Sequence, residues 1–232
     1  MTSYFIVSKT KTFEYSRVTT FNPFTDINYI LPFNHIHHHI ENGLFEEKLI
    51  ELSKQFCNKD KVFLDIGAHT GTYALSLSQY CKNVHAFEPQ KMTYYALCGS
   101  VALSNINNIE CHNYGLGSEE QVGEQTLKIV SIDGGGSSLH STTGIIGEEK
   151  ITIKTLDSLN IDNVGFIKMD IEENELYALQ GAVETIKRCN NPPILFECNV
   201  TNEPLFNFIT SIDYRIINIS EFSHMFLAIS KL

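Results

Sequence analysis

The sequence lacks an excess of basic residues. Its 232 residues include 27 acidic and 17 basic side chains, which give a formal net charge of −10. Proteins that bind nucleic acids generally neutralise phosphates with Lys and Arg. The charge balance therefore argues against a general nucleic-acid binder. An acidic pocket would instead suit a cationic cofactor or a neutral polar substrate.

The sequence also lacks the marks of export and of membrane insertion. No basic segment followed by an apolar run begins the chain, so no signal peptide is predicted. No apolar stretch approaches the length that spans a bilayer. The six cysteines form no C-x-x-C pair and show no Cys/His zinc spacing. This usage is typical of reduced thiols in an intracellular protein, and we predict a cytoplasmic location.

The most informative stretch is Val62–Gly71. Four apolar residues and Asp65 precede the sequence Gly-Ala-His-Thr-Gly, and a helical pattern follows from Thr72 to Leu77. This order predicts a buried parallel strand, a tight glycine turn and a helix start. The start of a helix offers unpaired N–H groups and the positive end of its dipole. We therefore expect the turn to bind a ligand.

The spacing of the glycines bears on the chemistry of that ligand. Gly67 and Gly71 are spaced G-x-x-x-G, and His69 stands where the dinucleotide motif G-x-G-x-x-G has its second glycine. No Lys-Ser or Lys-Thr follows Gly71, which excludes a P-loop. A ligand without phosphates fits this turn better.

Strand and helix patterns alternate along most of the chain. This alternation predicts an α/β fold with a doubly wound, mostly parallel Rossmann-like sheet of seven strands and an antiparallel terminal strand. Segments Thr126–Val130 and Lys150–Lys154 predict an inserted hairpin. The flexible loop Gly134–Leu139 between them is expected to lie over a site. One helix is predicted from Asn174 to Arg188.

The first 42 residues differ in pattern from the rest. We predict a small β-rich extension (1–42), with a strand or hairpin followed by irregular chain, before a domain that spans 43–232. The extension is expected to cover an acceptor pocket or to form a homo-oligomer contact. Its histidines could bind a metal, but no carboxylate or cysteine falls at ligand spacing. A polar segment leading into the next helix is favoured; the histidines are His35, His37, His38 and His39.

Acidic or polar residues fall at the ends of five predicted strands. Ligands of open α/β sheets bind beyond these carboxyl ends. A carboxylate at Glu88 can accept both ribose hydroxyls of NAD or of S-adenosylmethionine, and the glycine spacing favours S-adenosylmethionine, whose sulfonium is cationic. The five residues are Asp65, Glu88, Asn113, Asp170 and Glu197.

Six segments between Gly43 and Asn199 carry a resemblance to a known family. They are LDIGAHTGTYAL (Leu64–Leu75), AFEP (Ala86–Pro89), NYGLGSEE (Asn113–Glu120), GGSSL (Gly135–Leu139), TLDSL (Thr155–Leu159) and IKMDIEENELYALQGA (Ile167–Ala182). With these runs the sequence resembles class I methyltransferases, and within them the FkbM family of O-methyltransferases. Family members usually have a glycine where this chain has Glu173. Acceptor specificity is therefore the least transferable feature.

The resemblance implies S-adenosylmethionine as cofactor and a hydroxyl of a sugar, glycan or other small molecule as methyl acceptor. It implies that Asp170 faces the transferred methyl. Asp170 is the first candidate for the base and Glu172 the second, with a backbone contact at the next helix start as the alternative role of Glu172. The residues implied for the cofactor are Asp65, Gly67, Ala68, His69 and Gly71 at the methionine part, Glu88 at the ribose, and Asn113 and Tyr114 at the adenine.

Three other hypotheses stay open. Asp170, Glu197 and Asn199 could hold Mg²⁺, which would acidify a bound hydroxyl. The chain could be a nicotinamide-binding oxidoreductase, which the glycine spacing and the lack of a Tyr-x-x-x-Lys motif disfavour. It could also be a non-catalytic module that keeps the cofactor-binding sheet, and Glu173 is the feature that favours this.

Overall fold

The computed structural model describes residues 4–8, 27–199, 202–219, 221–222 and 224–231. Of residues 4–8, 34, 36, 37 and 40 it describes the backbone alone. Residues 9–26 of the predicted extension, and the side chain of His37, lie outside the described part.

The strands of the described chain are β1 (Tyr4–Ser8), β2 (Asn28–Pro32), β3 (Val62–Ile66), β4 (Asn83–Phe87), β5 (Ile109–His112), β6 (Gly115–Leu116), β7 (Gly123–Ile129), β8 (Gly147–Lys154), β9 (Val164–Met169), β10 (Ile194–Glu197), β11 (Tyr214–Asn218) and β12 (Met225–Ser230). The helices are α1 (Phe33–Asn42), α2 (Glu47–Ser53), α3 (Thr72–Ser78), α4 (Lys91–Leu103), α5 (Glu175–Gln180), α6 (Val183–Arg188) and α7 (Glu203–Ser211). None of these helices combines the length and hydropathy that a bilayer-spanning segment needs.

Seven strands form the main sheet in the order β11-β12-β10-β9-β3-β4-β5. Strands β5, β4, β3, β9 and β10 are parallel to their neighbours in this order. Strand β12 is antiparallel to both β10 and β11. The predicted doubly wound, mostly parallel sheet with an antiparallel strand at its end is therefore confirmed.

Helices cover both faces of this sheet because its central strands are apolar on both sides. Phe63 of β3 packs into one core cluster with Leu75 of α3 and Leu97 of α4. The next residue, Leu64, packs into a second cluster with Leu179 of α5. Successive side chains of a strand point to opposite faces. The continuous apolar run of β3 is thus the signature of a strand buried between two helical layers.

The inserted hairpin is also confirmed. Strands β7 and β8 are antiparallel, with Gly123 opposite Ile153 and Ile129 opposite Gly147. Strand β6 joins β8 in parallel and completes a small three-stranded sheet. The hairpin has a small core of its own, which includes Leu127.

The N-terminal hairpin is confirmed in its backbone, since β1 and β2 pair antiparallel. The irregular chain predicted after it is wrong for residues 33–42, which form helix α1. Tyr29 of β2 is fully buried, and its hydroxyl lies 2.8 Å from Ser76 Oγ. The backbone N–H of Ile30 donates to Ser100 Oγ of α4 at 2.9 Å. Strand β2 therefore packs against the same helices as the main sheet.

The single helix predicted for residues 174–188 is wrong, because the chain forms two helices that meet at Gly181-Ala182. A Cβ at Gly181 would lie 2.1 Å from the carbonyl oxygen of Gly117. The Gly181 carbonyl accepts from the N–H of Asp157 at 2.9 Å. The segments around Gly117 and Asp157 therefore pack against Gly181, and the helix is interrupted at this point.

Candidate functional site

A cleft of about 660 Å³ lies at the carboxyl ends of β4, β3, β9 and β10. This is the edge of an open α/β sheet at which ligands bind, and the volume is in the range of small-molecule sites. We call the part formed by Gly67–His69 and Glu88 the glycine-turn end. The part formed by Lys168, Asp170, Glu172 and Glu197 is the carboxylate end.

The glycine turn follows β3 and depends on Gly67. This residue has φ +78°, and a Cβ there would lie 1.8 Å from the carbonyl oxygen of Asp170. Any side chain would overlap the backbone after β9. The N–H groups of Gly67 and Ala68 donate to Phe87 O at 3.1 and 2.9 Å. The turn is thereby fixed against the ends of both neighbouring strands.

Glu88 follows β4 and is held by two backbone bonds. Its Oε2 accepts from the N–H of His69 at 2.9 Å, and its Oε1 accepts from the N–H of Gln90 at 2.8 Å. The residue is 7% exposed and lines the cleft. Burial raises the pKa of Glu88 to about 7, although the two N–H donors favour the ionised form. Glu88 is thus a rigid acceptor that titrates near neutral pH.

Asp65 and Gly71 connect the glycine turn to the start of helix α3. Asp65 is fully buried and accepts from the N–H of Ala74 in the first turn of α3 at 2.8 Å. Burial raises the pKa of Asp65 to about 6, with the charge of Lys168 opposing the shift. Gly71, with φ +94°, is the N-cap residue of α3. Neither residue is among those that line the cleft, whereas Gly67, Ala68 and His69 are.

Lys168 joins the two ends of the cleft. It is 3% exposed, and its Nζ donates to the carbonyl of Gly67 at 3.0 Å. The same Nζ lies 3.3 Å from Asp170 Oδ2 and 3.8 Å from Asp65 Oδ1. Burial alone would lower the pKa of Lys168, but the carboxylates of Asp170, Asp65 and Glu46 outweigh it and raise the pKa. The side chain therefore stays an ammonium.

Glu46, the N-cap residue of α2, and Tyr73 of α3 extend this network. The Tyr73 hydroxyl donates to Glu46 Oε2 at 3.0 Å, and Lys168 Nζ lies 5.1 Å from the centre of the Tyr73 ring. Burial raises the pKa of Glu46, while the charge of Lys168 opposes this shift. Both side chains line the cleft. The carboxylate end thus receives residues from four separate parts of the chain.

Three carboxyl groups converge at the carboxylate end. One oxygen each from Asp170, Glu172 and Glu197 lie within 4.8 Å of one another. Burial and the charge of Asp170 raise the pKa of Glu197 well above its usual range, and Glu197 is hydrogen-bonded to Asp170. Glu197 therefore keeps its proton at neutral pH and can donate it to Asp170, which lies beside Lys168.

The loop predicted to lie over a site does line the cleft, from Gly134 to Leu139. It is held at the carboxylate end because Ser138 Oγ donates to the carbonyl of Glu172 at 2.6 Å. The backbone N–H of Gly136 also bonds the Glu172 carboxylate, which favours its ionised form, but burial is the larger effect and raises the pKa. Glu172 is therefore tied to the loop.

The histidine segment of the extension reaches the same cleft through one residue. His35 Nε2 lies 3.3 Å from Asp133 Oδ2, and its ring lies 5.6 Å from that of His69. The Nε2–H of His69 donates to the carbonyl of Asp133 at 2.9 Å. Helix α1 therefore contacts the glycine turn and Asp133, the residue directly before the loop.

Glu173, which stands where family members usually have a glycine, has a backbone conformation that favours glycine. Its φ is +75° and that of Glu172 is +53°, both in the left-handed region that disfavours residues with a Cβ. The Glu173 side chain is exposed and lines a second cavity of about 440 Å³, not the main cleft. Asn199, a predicted Mg²⁺ ligand, also lines this second cavity.

The residues predicted to lie at the adenine have other contacts. Asn113 Nδ2 donates to the carbonyls of Glu88 and Pro89, each at 3.0 Å. Lys154 Nζ lies 4.1 Å from the centre of the Tyr114 ring, so a cation occupies one face of that ring. Neither Asn113 nor Tyr114 is among the residues that line the cleft. Asn113 positions the segment that carries Glu88.

A nucleoside cofactor fits this cleft on structural grounds. Gln90 Oε1 is a buried acceptor without a hydrogen-bond partner among the described residues, two positions after Glu88. Each carboxylate oxygen of Glu88 has a further lone pair beyond its backbone bond. Apolar side chains line the same cleft, among them Leu116 and Ile153. Unused acceptors beside an apolar wall suit a ribose and its base.

The oxygen atoms of the carboxylate end fit Mg²⁺ less well than the glycine-turn end fits a nucleoside. Glu172, rather than Asn199, completes the group with Asp170 and Glu197. A hard cation needs ionised oxygens, and the raised pKa of Glu197 opposes its ionisation. The Mg²⁺ hypothesis stays a prediction.

Sequence reasoning missed Lys168, Glu46 and Asp133. A signal existed for Lys168, which is a charged residue inside the otherwise apolar strand β9 and pairs in register with Asp65 of β3. Buried charges are generally paired. Glu46 and Asp133 gave no comparable signal, because their positions depend on how α2 and the hairpin loop fold back onto the sheet.

Comparison with solved structures shows the same fold. A methyltransferase FkbM from Methylobacillus flagellatus KT matches with 23% identity and a TM-score of 0.52, covering 74% of this chain and 44% of that one. A putative rRNA methylase from Clostridium thermocellum matches with 11% identity and a TM-score of 0.51, covering 78% and 91%. The precorrin 8w decarboxylase of Methanobacterium thermoautotrophicum matches with 10% identity and a TM-score of 0.51, covering 82% and 92%.

The seven-stranded sheet and its cleft define a Rossmann-like protein of the methyltransferase fold. The model of the methyltransferase FkbM domain matches residues 65–227. The chain belongs to the FkbM methyltransferase family, as the sequence motifs predicted. No curated protein matches the sequence. The chain spans less than half the length of the FkbM structure that it resembles.

Proposed function

We propose that this protein transfers a methyl group from S-adenosylmethionine to a hydroxyl oxygen of a sugar, a glycan or another small molecule. The observation that carries the proposal is the presence of Glu88 and Asp170 in one cleft. Glu88 is suited to the hydroxyls of a ribose, and Asp170 is suited to a hydroxyl that must lose its proton. Lys168 holds the glycine turn and Asp170 at a fixed separation, because its ammonium group contacts both the Gly67 carbonyl and the Asp170 carboxyl group.

The glycine-turn end would hold the cofactor. Glu88 would accept both ribose hydroxyls with the lone pairs that its backbone bonds leave open. Gln90 Oε1, which has no partner among the described residues, would accept from an N–H or O–H of the nucleoside. The backbone at Gly67–His69 would follow the methionine part. We retain Asn113 and Asp65 as residues that position this surface through Glu88 and α3.

The carboxylate end would handle the acceptor's proton. When bound, S-adenosylmethionine would supply a methyl group attached to a sulfonium. The acceptor oxygen would attack the methyl carbon from the side opposite the sulfur, which is the leaving group. A carboxylate oxygen of Asp170 would take the hydroxyl proton of the acceptor as its oxygen forms the new bond. The Lys168 ammonium, 3.3 Å from Asp170 Oδ2, would orient the Asp170 carboxyl group. Glu172 is the second candidate, held by the backbone N–H of Gly136 and by the hydroxyl of Ser138.

Positioning would supply much of the rate. An in-line transfer needs the acceptor oxygen about 3 Å from the methyl carbon and opposite the sulfur. The loop Gly134–Leu139 and helix α1 bound the cleft and would restrict the acceptor to one orientation. Water would be excluded by the same two segments.

The chemistry of the lining favours a neutral hydroxylated acceptor. Of the described residues that line the cleft, Lys168 is the one Lys or Arg, and it is already engaged by carboxylates. A phosphorylated or nucleic-acid substrate would need free cationic side chains. Hydroxyl groups of a sugar could instead bond to carboxyl groups and histidines such as His35. This supports a sugar, glycan or small-molecule acceptor.

The cofactor assignment is tested by calorimetric titration with S-adenosylhomocysteine and, separately, with NAD. We expect S-adenosylhomocysteine to bind and NAD to give no heat. Glu88→Gln should weaken S-adenosylhomocysteine binding by about 2 kcal/mol, since a charged acceptor is lost. Glu120→Gln, an exposed site away from the cleft, is the matched control. Binding of NAD instead, or an unchanged affinity in Glu88→Gln, would contradict the assignment.

The reaction is tested with a methyl-labelled donor and a panel of hydroxylated acceptors. Labelled product should form with at least one sugar or small-molecule alcohol and should depend on Asp170. Tight cofactor binding without labelled product on any acceptor would favour a non-catalytic module.

A further inference from the structure

A second group of chemically active side chains lies on β4 and β5, outside the cleft. Parallel pairing sets His85 of β4 beside Glu110 of β5, and Phe87 beside His112. His85 Nδ1 lies 3.0 Å from His112 Nε2. Glu110 reaches both, with Oε2 3.6 Å from His85 Nδ1 and Oε1 3.9 Å from His112 Nε2. Strand pairing, not sequence spacing, brings these three groups together.

The three ligand atoms have nearly the separations that one metal ion imposes. With Zn–N and Zn–O bonds of about 2.0–2.1 Å, adjacent ligands of a tetrahedral zinc ion are about 3.3 Å apart. The two imidazole nitrogens are 3.0 Å apart, and each has one oxygen of Glu110 near it, Oε2 at 3.6 Å and Oε1 at 3.9 Å. One ligand atom from each residue falls within 4.8 Å of the others. Small rotations of the exposed Glu110 side chain would close the remaining difference.

A neighbouring side chain orients one of the imidazoles. His112 Nδ1 lies 3.1 Å from the hydroxyl of Tyr114. If Nδ1 carries the proton and donates to that hydroxyl, the Nε2 lone pair faces His85 and Glu110. Metal-binding histidines are generally oriented in this way by a hydrogen bond at their other nitrogen. The ring of His112 is also stacked on Phe87, with centroids 4.6 Å apart, which limits its rotation.

One side of this group is open to solvent. The Glu110 side chain is 68% exposed, so an ion can enter from solvent.

We propose that His85, Glu110 and His112 form a binding site for a divalent transition metal, with Zn²⁺ as the ion that fits the set. Two imidazoles and one carboxylate are a ligand set that zinc accepts, with solvent completing the coordination. The ion would clamp β5, an edge strand of the sheet, onto β4. The clamp lies next to Glu88, whose N–H donates to the carbonyl of His112 at 2.9 Å.

The test is calorimetric titration of the full chain, freed of any affinity tag, with Zn²⁺ alone. Wild type should bind one Zn²⁺ at this site. His112→Ala should weaken binding by at least about 100-fold, since removal of a ligand costs no less than removal of an outer partner. Tyr114→Phe, which removes the outer partner, should weaken it by about tenfold. His38→Ala is the control for the other histidine-rich segment and should bind as wild type does.

A second variant and a direct measurement distinguish loss of the metal site from loss of the fold. Glu110→Gln changes an exposed side chain and should still weaken Zn²⁺ binding, with an unchanged far-ultraviolet circular dichroism spectrum. Anomalous scattering at the zinc edge from Zn²⁺-soaked crystals should show a peak between His85 and His112. The proposal is overturned if wild type binds no Zn²⁺, if Glu110→Gln and His112→Ala both bind as wild type does, or if the anomalous peak lies only at the His35–His39 segment.

Discussion

The two ends of the cleft are built differently. At the glycine-turn end, Gly67–His69 and Glu88 follow two adjacent parallel strands, and short backbone bonds hold them. At the carboxylate end, side chains from the start of α2, from α3 and from the carboxyl ends of β9 and β10 meet around the buried Lys168. The first end is fixed by local chain geometry, and the second by long-range ion pairs.

This difference matches the division of labour that we propose. A binding surface for a common cofactor can be encoded in a short motif, because backbone groups make most of its contacts. A surface for a particular acceptor needs side chains that differ between relatives. The loop Gly134–Leu139 and helix α1 belong to this second surface, and His35 of α1 contacts Asp133, the residue directly before the loop.

The largest effect is expected from removing the charge that organises the carboxylate end. Lys168→Met should lower the free energy of unfolding by about 3–5 kcal/mol, because it leaves the buried Asp65 and the partly buried Asp170 without their cation. Urea unfolding measures this change. Lys187→Met removes an exposed pair with Glu184 and should cost less than about 1 kcal/mol. Equal losses in the two variants would contradict the central role of Lys168.

Asp170→Asn should affect the transfer rate and not the cofactor affinity, which distinguishes the roles of the two ends of the cleft. The rate of methyl transfer should fall by at least about 100-fold, as for loss of a general base, while the affinity for S-adenosylhomocysteine stays within about threefold. Single-turnover kinetics and calorimetry measure these quantities. Asp162→Asn, which breaks an exposed pair with Arg188, should leave both unchanged. A large loss of affinity with an unchanged rate would assign Asp170 to cofactor binding instead.

The pH dependence of cofactor binding should report on the glycine-turn end. Burial raises the pKa of Glu88 to about 7, and a ribose is bound by the ionised carboxylate. Affinity for S-adenosylhomocysteine should therefore be full above this pKa and fall as pH drops, by about tenfold between pH 8 and pH 6. Titrations at both values measure it. In Glu88→Gln the dependence should vanish, and a dependence that persists would implicate another group.

The smallest effect is expected at Glu173. Its φ of +75° strains any residue with a Cβ, whereas glycine adopts it freely. Because glycine also gains entropy in the unfolded chain, Glu173→Gly should raise the free energy of unfolding by less than about 1 kcal/mol. Glu173→Ala keeps the strain and removes the charge, so it should bring no gain. Equal stabilisation by both variants would show that charge, not backbone strain, is the cause.

Much of the fold could be predicted from the sequence because its signals are local. The apolar run of β3, the alternation of strands with helices and the glycine-containing hairpin all act over a few residues. The break between α5 and α6 could not be predicted, since it depends on the approach of Gly117 to Gly181. Helix α1 was missed because its sequence, rich in histidine, has no marked helical preference.

The residues predicted for the candidate site fall into two groups, those that line the cleft and those that lie outside its lining. Gly67, Ala68, His69, Glu88, Asp170 and Glu172 line the cleft and were predicted from strand ends and motifs. Asp65, Gly71, Asn113 and Tyr114 were predicted beside them but lie outside the lining. Their side chains or backbones support the neighbours that do line it, for example through the bond from Asn113 to the carbonyl of Glu88. A motif marks a segment of chain, and burial decides which of its residues meet a ligand.

The metal hypothesis shows the limit of spacing arguments. The histidines from His35 to His39 are adjacent in sequence, yet His35 bonds Asp133 in the cleft and His38 packs on Phe45. His85 and His112 are distant in sequence but meet through strand pairing. Their convergence could be recognised only after the register of β4 and β5 was known.

The most direct test of the account is a crystal structure of the protein with S-adenosylhomocysteine. We predict that both ribose hydroxyls lie within hydrogen-bond distance of Glu88, and that the sulfur points along the cleft toward Asp170. A cofactor bound elsewhere, or one whose ribose does not contact Glu88, would contradict the account.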